Sequence, residues 1–196
     1  MSTLEVNKIT PQGVATEVTL GDSGDTFTIP SGVTLTNNGT VTGIGGVMTP
    51  YFEVKMSTAT NVSAGTWTKV ALDSEDLDSN NAFDSSTNYR FTVPVGEGGR
   101  YFLYSSLVCK NASSALYQSQ SAIYKNGSSL IQQANEDSES NTAFMQTTLH
   151  IITTLAEGDY IELYGNPYSF SGQNSFFTNS GGTNRYCHLG GYKIIE

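Results

Sequence analysis

Apolar and polar residues alternate along most of the chain after about residue 50, which is the pattern of half-buried β-strands. Phe52, Val54 and Met56 form the first such run. Gly- and Asn-containing turns separate the runs, and no helical period lies between them. The pattern predicts an all-β, antiparallel sandwich. Its further strands are predicted at residues 67–72, 89–93, 100–109, 118–125, 129–133, 144–154, 159–164 and 185–195.

Two segments of this region interrupt the strand pattern. Residues 74–78, Ser-Glu-Asp-Leu-Asp, are predicted to form a solvated loop, with one helical turn as the alternative. Residues 165–184 are rich in Asn, Ser and Gly and are predicted to form a loop. It is longer than the ~2–5 residues of a usual hairpin connection, and long loops are often functional.

The first 50 residues contain a single aromatic residue, Phe27. Short alternating runs at residues 26–29 and 33–36 predict two strands, with Pro-Ser-Gly and Asn-Asn-Gly turns after them. So short a segment cannot enclose a core of its own and is expected to be stable only against a partner. We therefore divide the chain into an attachment segment with a Gly-rich linker, residues 1–46, and a globular domain, residues 47–196.

Charge and composition exclude several classes of partner. Lys and Arg number 9 and Asp and Glu 18, so the net charge is −9, which disfavours a nucleic-acid partner. No apolar run approaches the ~20 residues of a membrane-spanning helix, so no membrane insertion is expected. The N-terminus has no apolar segment of the signal-peptide type, which predicts synthesis and assembly in a cytoplasm. Cys109 and Cys187 are expected to be free, buried thiols.

The globular region carries a series of short motifs in a fixed order. Asn-Ala-Phe-Asp precedes Tyr-Arg-Phe-Thr-Val-Pro, and a Lys-Asn-Gly turn and a Gly-Asp-Tyr-Ile-Glu-Leu strand follow. The motifs lie at residues 52–54, 81–84, 89–94, 99–102, 124–127, 155–163 and 189–192. In this order they resemble the globular head of the complement C1q family, within the tumour necrosis factor superfamily. The resemblance implies a ten-stranded jelly roll that assembles as a compact homotrimer, although Asn88 replaces the usual Gly and no collagen-like repeat is present.

The N-terminal segment carries a second resemblance. Residues 2–11 and 18–32 are similar to the opening of virion proteins from marine tailed bacteriophages, which are commonly called tail fibre or structural proteins. This resemblance implies a virion location, assembly in the host cytoplasm, and other virion proteins of the tail or capsid as partners. A trimer suits both parts of the chain, because three copies around an axis can supply the core that the N-terminal segment lacks. The side chains expected at the trimer interface are Phe27, Ile29, Val33, Leu35, Tyr101, Leu103 and Tyr160.

Four aromatic residues in the loop at residues 165–184 are candidate contacts for a host receptor or glycan: Tyr168, Phe170, Phe176 and Phe177. Aromatic rings stack on the C–H faces of sugars, and neighbouring amides and hydroxyls bond sugar hydroxyls. The alternative is that these rings pack under the loop or between subunits.

The sequence gives little support for catalysis or metal binding. Residues 21–24, Gly-Asp-Ser-Gly, resemble a serine-protease nucleophile loop, but His150 and His188 both fall in predicted strands, so no catalytic residue is assigned. The histidines and cysteines lack the close spacing of metal ligands, so no metal site or cofactor is predicted. Acidic groups near residues 73–78 and 136–139 leave calcium as an alternative to solvated loops.

The sequence therefore predicts a non-enzymatic, homotrimeric virion structural protein. In the first interpretation, the protein is a short tail fibre or receptor-recognition adhesin that binds a glycan or protein on the host surface. The alternative is a capsid decoration protein or head fibre, anchored to the shell by the N-terminal segment. A polysaccharide-degrading enzyme is disfavoured, because nothing places two carboxylates across a sugar cleft.

Overall fold

The computed structural model describes residues 22–34, 36, 48–139, 141–179 and 184–194. The chain separates into two units, Met1–Ile44 and Gly45–Glu196. In the first unit, the described residues form turns and no strand. The Asp25 N–H donates to the Asp22 carbonyl, and the Val33 N–H donates to the Pro30 carbonyl. The predicted turn after Pro30 is confirmed, whereas the strand predicted at residues 26–29 is wrong because no described strand lies beside it to complete a ladder.

Of the side chains expected at the interface from this unit, Phe27 and Ile29 lie between the two turns and Val33 lies at the end of the second. Phe27, Ile29 and Val33 are 68%, 38% and 58% exposed. Leu35 lies outside the described residues.

The second unit is built of antiparallel strands, and its described residues contain no helix. No described segment is therefore a helix that could cross a membrane. The described strands are β1 (Tyr51–Lys55), β2 (Thr60–Val62), β3 (Thr68–Lys69), β4 (Ser74–Asp78), β5 (Phe83–Asp84), β6 (Arg90–Thr92), β7 (Gly99–Asn111), β8 (Leu116–Lys125), β9 (Ser128–Glu136), β10 (Phe144–Leu155), β11 (Tyr160–Ser169), β12 (Asn174–Phe176) and β13 (His188–Lys193).

Two sheets pack face to face, as the sequence predicts. The seven-stranded sheet has the order β2-β12-β7-β13-β1-β4, and β10 pairs with the other edge of β7. The six-stranded sheet has the order β5-β6-β11-β8-β9, and β3 also pairs with β11. This arrangement is an antiparallel jelly roll, so the predicted fold class is confirmed for the globular domain.

The core lies between the inner faces of the two sheets. Phe52 of β1 stacks on Phe91 of β6 with ring centroids 4.2 Å apart, and Tyr101 of β7 closes on Phe91 at 5.9 Å. Cys109 and Cys187 are free and buried, as predicted. Burial raises the pKa of both thiols to about 12, which makes them part of the apolar core rather than reactive groups.

Two loop predictions are wrong. Residues 74–78 form strand β4, because Leu77 and its neighbours pair with β1 across a bulge and Asp76 forms an ion pair with Lys55. The segment at residues 165–184 is also shorter as a loop than expected. Its first residues continue β11 to Ser169, and Asn174–Phe176 form β12, which lies between β2 and β7.

The long strand β7 runs from one end of the jelly roll to the other. At the proximal end the chain enters β1, and the Pro50 carbonyl accepts from the Lys193 N–H. At the distal end β7 reaches Asn111, which pairs with Asn174 of β12. The 13 residues of β7 connect the two ends, a rise of roughly 40 Å at ~3.3 Å per residue.

Candidate functional site

The outer face of the seven-stranded sheet carries a cluster of large side chains that face away from the core. Two cross-strand rows build it. One row joins Ile152, Phe102, Tyr192 and Tyr51, and the next joins His150, Tyr104, Gly190 and Glu53. We call the aromatic face the set Tyr51, Phe102, Tyr104, Ile152, His188 and Tyr192.

The rings of the aromatic face contact one another. The Phe102 ring centroid lies 5.5 Å from that of Tyr192 and 6.0 Å from that of Tyr104. Tyr104 meets the His188 ring edge-on at 6.1 Å. Gly190 leaves the space for Tyr104, because a Cβ at residue 190 would lie 2.4 Å from the Tyr104 ring. The cluster is thus a packed surface and not a set of isolated exposed rings.

Charged groups at the rim of this face are paired within the protomer. Arg185 Nε lies 3.2 Å from Glu53 Oε1 and 2.9 Å from Asp76 Oδ2, and Lys55 Nζ lies 2.6 Å from Asp76 Oδ1. The side-chain hydrogen bond from Lys55 is the main cause that lowers the pKa of Asp76. Burial and the Glu53 carboxylate raise the pKa of Tyr104, which stays a neutral donor. The rim can therefore be covered without leaving these charges unpaired.

Much of this apolar surface is open to solvent in the single chain. Ile152 is 62% exposed and Tyr51 40%. A contiguous apolar surface on a sheet whose other side already packs a core is typical of a protein–protein contact. The aromatic face is the surface that an assembly partner would cover.

Three of the residues predicted for the trimer interface lie elsewhere. Tyr101 and Leu103 are fully buried in the protomer core, so they have no surface to offer another subunit. Tyr160 belongs to the six-stranded sheet, where the Arg90 guanidinium lies 4.4 Å from its ring centre. The prediction is wrong for Tyr101 and Leu103 and stays a prediction for Tyr160, and the aromatic face carries the alternate positions Phe102 and Tyr104 of β7.

The predicted receptor loop is divided by the fold into three environments. Tyr168 and Phe170 remain on the surface at the distal end, 38% and 70% exposed. Both rings meet Tyr117 of β8, with centroids 6.0 and 5.4 Å away. Sequence reasoning missed Tyr117, because it lies about 50 residues earlier and only the β8–β11 pairing brings it to the loop. We call these three residues the distal cluster.

Phe176 is corrected as a contact residue, because it is buried in the core with 1% exposure. Phe177 is half-buried. It lies at the distal end too, but on the opposite side from Tyr168. There its ring packs at 5.0 Å against Phe144 and at 5.1 Å against Tyr186, with Lys110 Nζ 5.4 Å from the ring centre. An open cavity of about 430 Å³ lies between these rings at the edge of the seven-stranded sheet.

Asn111 holds the base of the distal cluster. Its buried amide donates to the Ser171 carbonyl and to Asn174 Oδ1, both at 2.9 Å. Its Oδ1 accepts from the Ser113 and Ala115 N–H groups at 2.9 and 3.0 Å. One side chain thereby joins the β7–β8 loop to the loop that carries Phe170.

Replacing Asn111 by Ala is expected to loosen the distal end. Loss of its four hydrogen bonds leaves buried partners unsatisfied, which costs about 2–3 kcal/mol of unfolding free energy. Amide hydrogen exchange should quicken in residues 112–115 and 170–173, while β7 and β13 keep their protection. Asn141→Ala is the control, since its exposed amide bonds only the Glu139 carboxylate. Unchanged exchange in both loops would contradict this role for Asn111.

The described residues offer little for catalysis or metal binding. They contain no group of three or more His, Cys, Asp or Glu side chains placed to hold a metal ion. In β4 the acidic residues have other partners: Asp76 binds Lys55, and Glu75 accepts from Ser85. His188 Nδ1 contacts the Arg185 carbonyl, and among the described residues no carboxylate is bonded to this ring.

Solved structures define the class of fold. No protein-family model matches the chain, and no curated protein matches it. The globular domain of a zebrafish complement 1qA protein matches with a TM-score of 0.52 and 15% identity, over 74% of this chain and 97% of that one. Murine APRIL matches with a TM-score of 0.52 and 15% identity, over 74% and 98%. Eiger TNF from S. frugiperda matches with a TM-score of 0.53 and 11% identity, over 74% and 91%.

The globular domain therefore has the jelly-roll fold of C1q/TNF-like domains. This likeness concerns the fold, and the surfaces described above are the properties of this chain.

Proposed function

We propose that this chain is a homotrimeric, non-enzymatic structural protein of a phage virion, a short tail fibre or receptor-recognition protein. The observation that carries the proposal is the aromatic face, an apolar sheet surface left open in the single chain. Three copies around an axis can each cover the aromatic face of the next, and closed symmetry of this kind limits the assembly to one size.

The positions of the proximal and distal ends support a globular domain that projects outward from the virion. The chain enters the jelly roll beside Pro50, and the distal cluster lies at the other end of β7. In a trimer with parallel subunits, three distal clusters would face away from the point of attachment. Tyr168 and Phe170, with Tyr117, are thus the proposed contacts with a host-surface receptor.

The virion location rests on the sequence of the first unit. Residues 2–11 and 18–32 resemble the start of virion proteins from tailed phages, and we propose that residues 1–46 attach the trimer to the particle. A surface with few charges, 14% of the chain, suits a particle-bound protein.

Gold labelling of intact virions with an antibody against residues 51–194 tests this proposal. Label confined to the tail is expected for a receptor-recognition protein. Label spread over the head would contradict the tail assignment and favour a capsid decoration protein. Virions without label would overturn the virion role altogether. An antibody against a known major capsid protein serves as the positive control for particle integrity.

A further inference from the structure

The outer face of the six-stranded sheet contains a hollow that is not lined by any residue of the distal cluster. A cross-strand row runs from Asn166 of β11 through Gln120 of β8 to Ala134 of β9. In the adjacent row, Ala122 lies between Tyr164 and Gln132. Because the small side chain of Ala134 ends the first row, a cavity of about 110 Å³ opens there. We call it the amide groove, and it is lined by Trp67, Gln120, Gln132, Gln133 and Ala134.

Aromatic rings form one wall of the amide groove. Trp67 is half-buried, and its ring centroid lies 6.2 Å from that of Tyr124. Tyr124 in turn stacks on Tyr164 at 4.1 Å, which fixes the position of this wall. Trp67 also lies just after Gly65, whose N–H donates to the Pro167 carbonyl beside Tyr168. The groove and the distal cluster are therefore neighbours along the same strand, β11.

The polar groups of the groove are neutral and have hydrogen-bonding capacity to spare. Gln120 Oε1 accepts from Asn166, and Gln133 Oε1 accepts from the Thr148 N–H. Among the described residues, no partner is bonded to the NH₂ group of Gln120 or to the amide of Gln132, whereas Gln133 points toward β10. The indole N–H of Trp67 likewise has no described acceptor. Convergent amides beside an aromatic ring suit hydroxyl groups that both donate and accept.

Charge selects among the ligands that such a groove can take. Close to the groove, Lys69 Nζ forms an ion pair at 2.5 Å with Glu162 Oε1, so these two charges offset each other. Glu136 accepts from the Gln118 amide at 2.5 Å. A neutral groove in a chain of net charge −9 does not attract anionic ligands. A neutral, hydroxyl-rich ligand with C–H faces matches both the amides and the ring.

We propose that the amide groove binds a neutral hexopyranose unit of a glycan, with Trp67 stacking on the sugar and Gln120 and Gln132 bonding its hydroxyls. The inference deepens the proposed receptor-recognition function and rests on it for its biological setting. The binding itself belongs to the jelly roll and can be measured on the purified protein. The distal cluster continues the groove along β11, so a glycan chain bound at Trp67 can extend towards Tyr168.

The protein carries its own reporter of this site, because Trp67 is its only tryptophan. The purified full chain is titrated with a panel of neutral oligosaccharides built from glucose, mannose or galactose, and tryptophan emission and acrylamide quenching are recorded. At least one oligosaccharide is expected to shift the emission and to protect Trp67 from quenching. If no member of the panel changes either signal or gives saturation transfer in NMR, the proposal is overturned.

Variants then locate the binding. Ala134→Phe fills the hollow and Trp67→Ala removes the stacking ring, and each is expected to weaken binding by roughly tenfold or more, measured by saturation-transfer NMR. Val95→Ser is the matched control, because Val95 is 83% exposed and lies outside the groove. A circular dichroism spectrum and an unfolding midpoint check that each variant folds. Equal affinity in all four proteins would contradict the assignment of the groove.

The two proposals fail separately. A protein that binds sugar at Trp67 but labels no virion refutes the virion role alone. A protein that labels virion tails but binds no neutral sugar refutes the amide groove alone.

Discussion

Replacing Phe102 by Asp is expected to convert the proposed trimer into monomers. Phe102 lies at the centre of the aromatic face, with Tyr104 and Tyr192 on either side of it. A carboxylate there would be buried without a partner in each of three contacts, at a cost of several kcal/mol per charge. Light scattering after gel filtration should give 21.0 kDa in place of three times that mass, about 63 kDa.

Val95→Asp is the matched control for this substitution. It introduces the same charge at a residue that is 83% exposed near the proximal end and outside the aromatic face. The control should remain trimeric. If Phe102→Asp keeps the mass of the unsubstituted protein, the aromatic face is not the assembly surface.

Replacing Gly165 by Ala is expected to lower the free energy of unfolding by about 2–3 kcal/mol. Gly165 lies on the inner face of β11, where a Cβ would be 2.5 Å from both Leu107 Cδ2 and Phe176 Cε1. Both side chains are buried between the sheets and can move only by displacing further core residues. Urea unfolding followed by circular dichroism measures the change as a lower midpoint.

Gly98→Ala provides the comparison for Gly165→Ala. Gly98 is exposed, and a Cβ there would meet its nearest neighbour, the Glu157 nitrogen, at an ordinary 3.5 Å. Its unfolding free energy should change by less than about 0.5 kcal/mol. Equal effects of the two substitutions would contradict a close approach of Leu107 and Phe176 to Gly165.

The order and approximate limits of the long strands could be predicted from the sequence, because alternation at period two is a local property. Which side chains of β7 face outward could not be predicted. Residues 101–104 are all apolar or aromatic, so large side chains lie on both faces of the strand. Alternation alone therefore does not show which face packs inside. This ambiguity explains why the buried residues Tyr101 and Leu103 were predicted at the interface, although Phe102 and Tyr104 are the residues on the outer face of β7.

The candidate sites depend on contacts between residues that are far apart in the sequence. Such contacts could not be predicted from local patterns. Tyr168 and Phe170 of the predicted loop are exposed and stay predicted contacts, whereas Phe176 belongs to β12 and is buried in the core. The amide groove had no sequence signal, since Trp67 and Gln132 approach each other only across β11 and β8. Cross-strand register, which the sequence leaves open, decides both sites.

Hydroxyl-radical footprinting of the native protein tests most directly whether the aromatic face is covered. Ile152 on that face and Phe170 in the distal cluster are similarly exposed in the single chain, at 62% and 70%. Each oxidation rate is normalised to the rate of the same residue in the urea-unfolded chain. Assembly through the aromatic face should protect Ile152 strongly while Phe170 stays reactive. Equal normalised rates for Ile152 and Phe170 would contradict it.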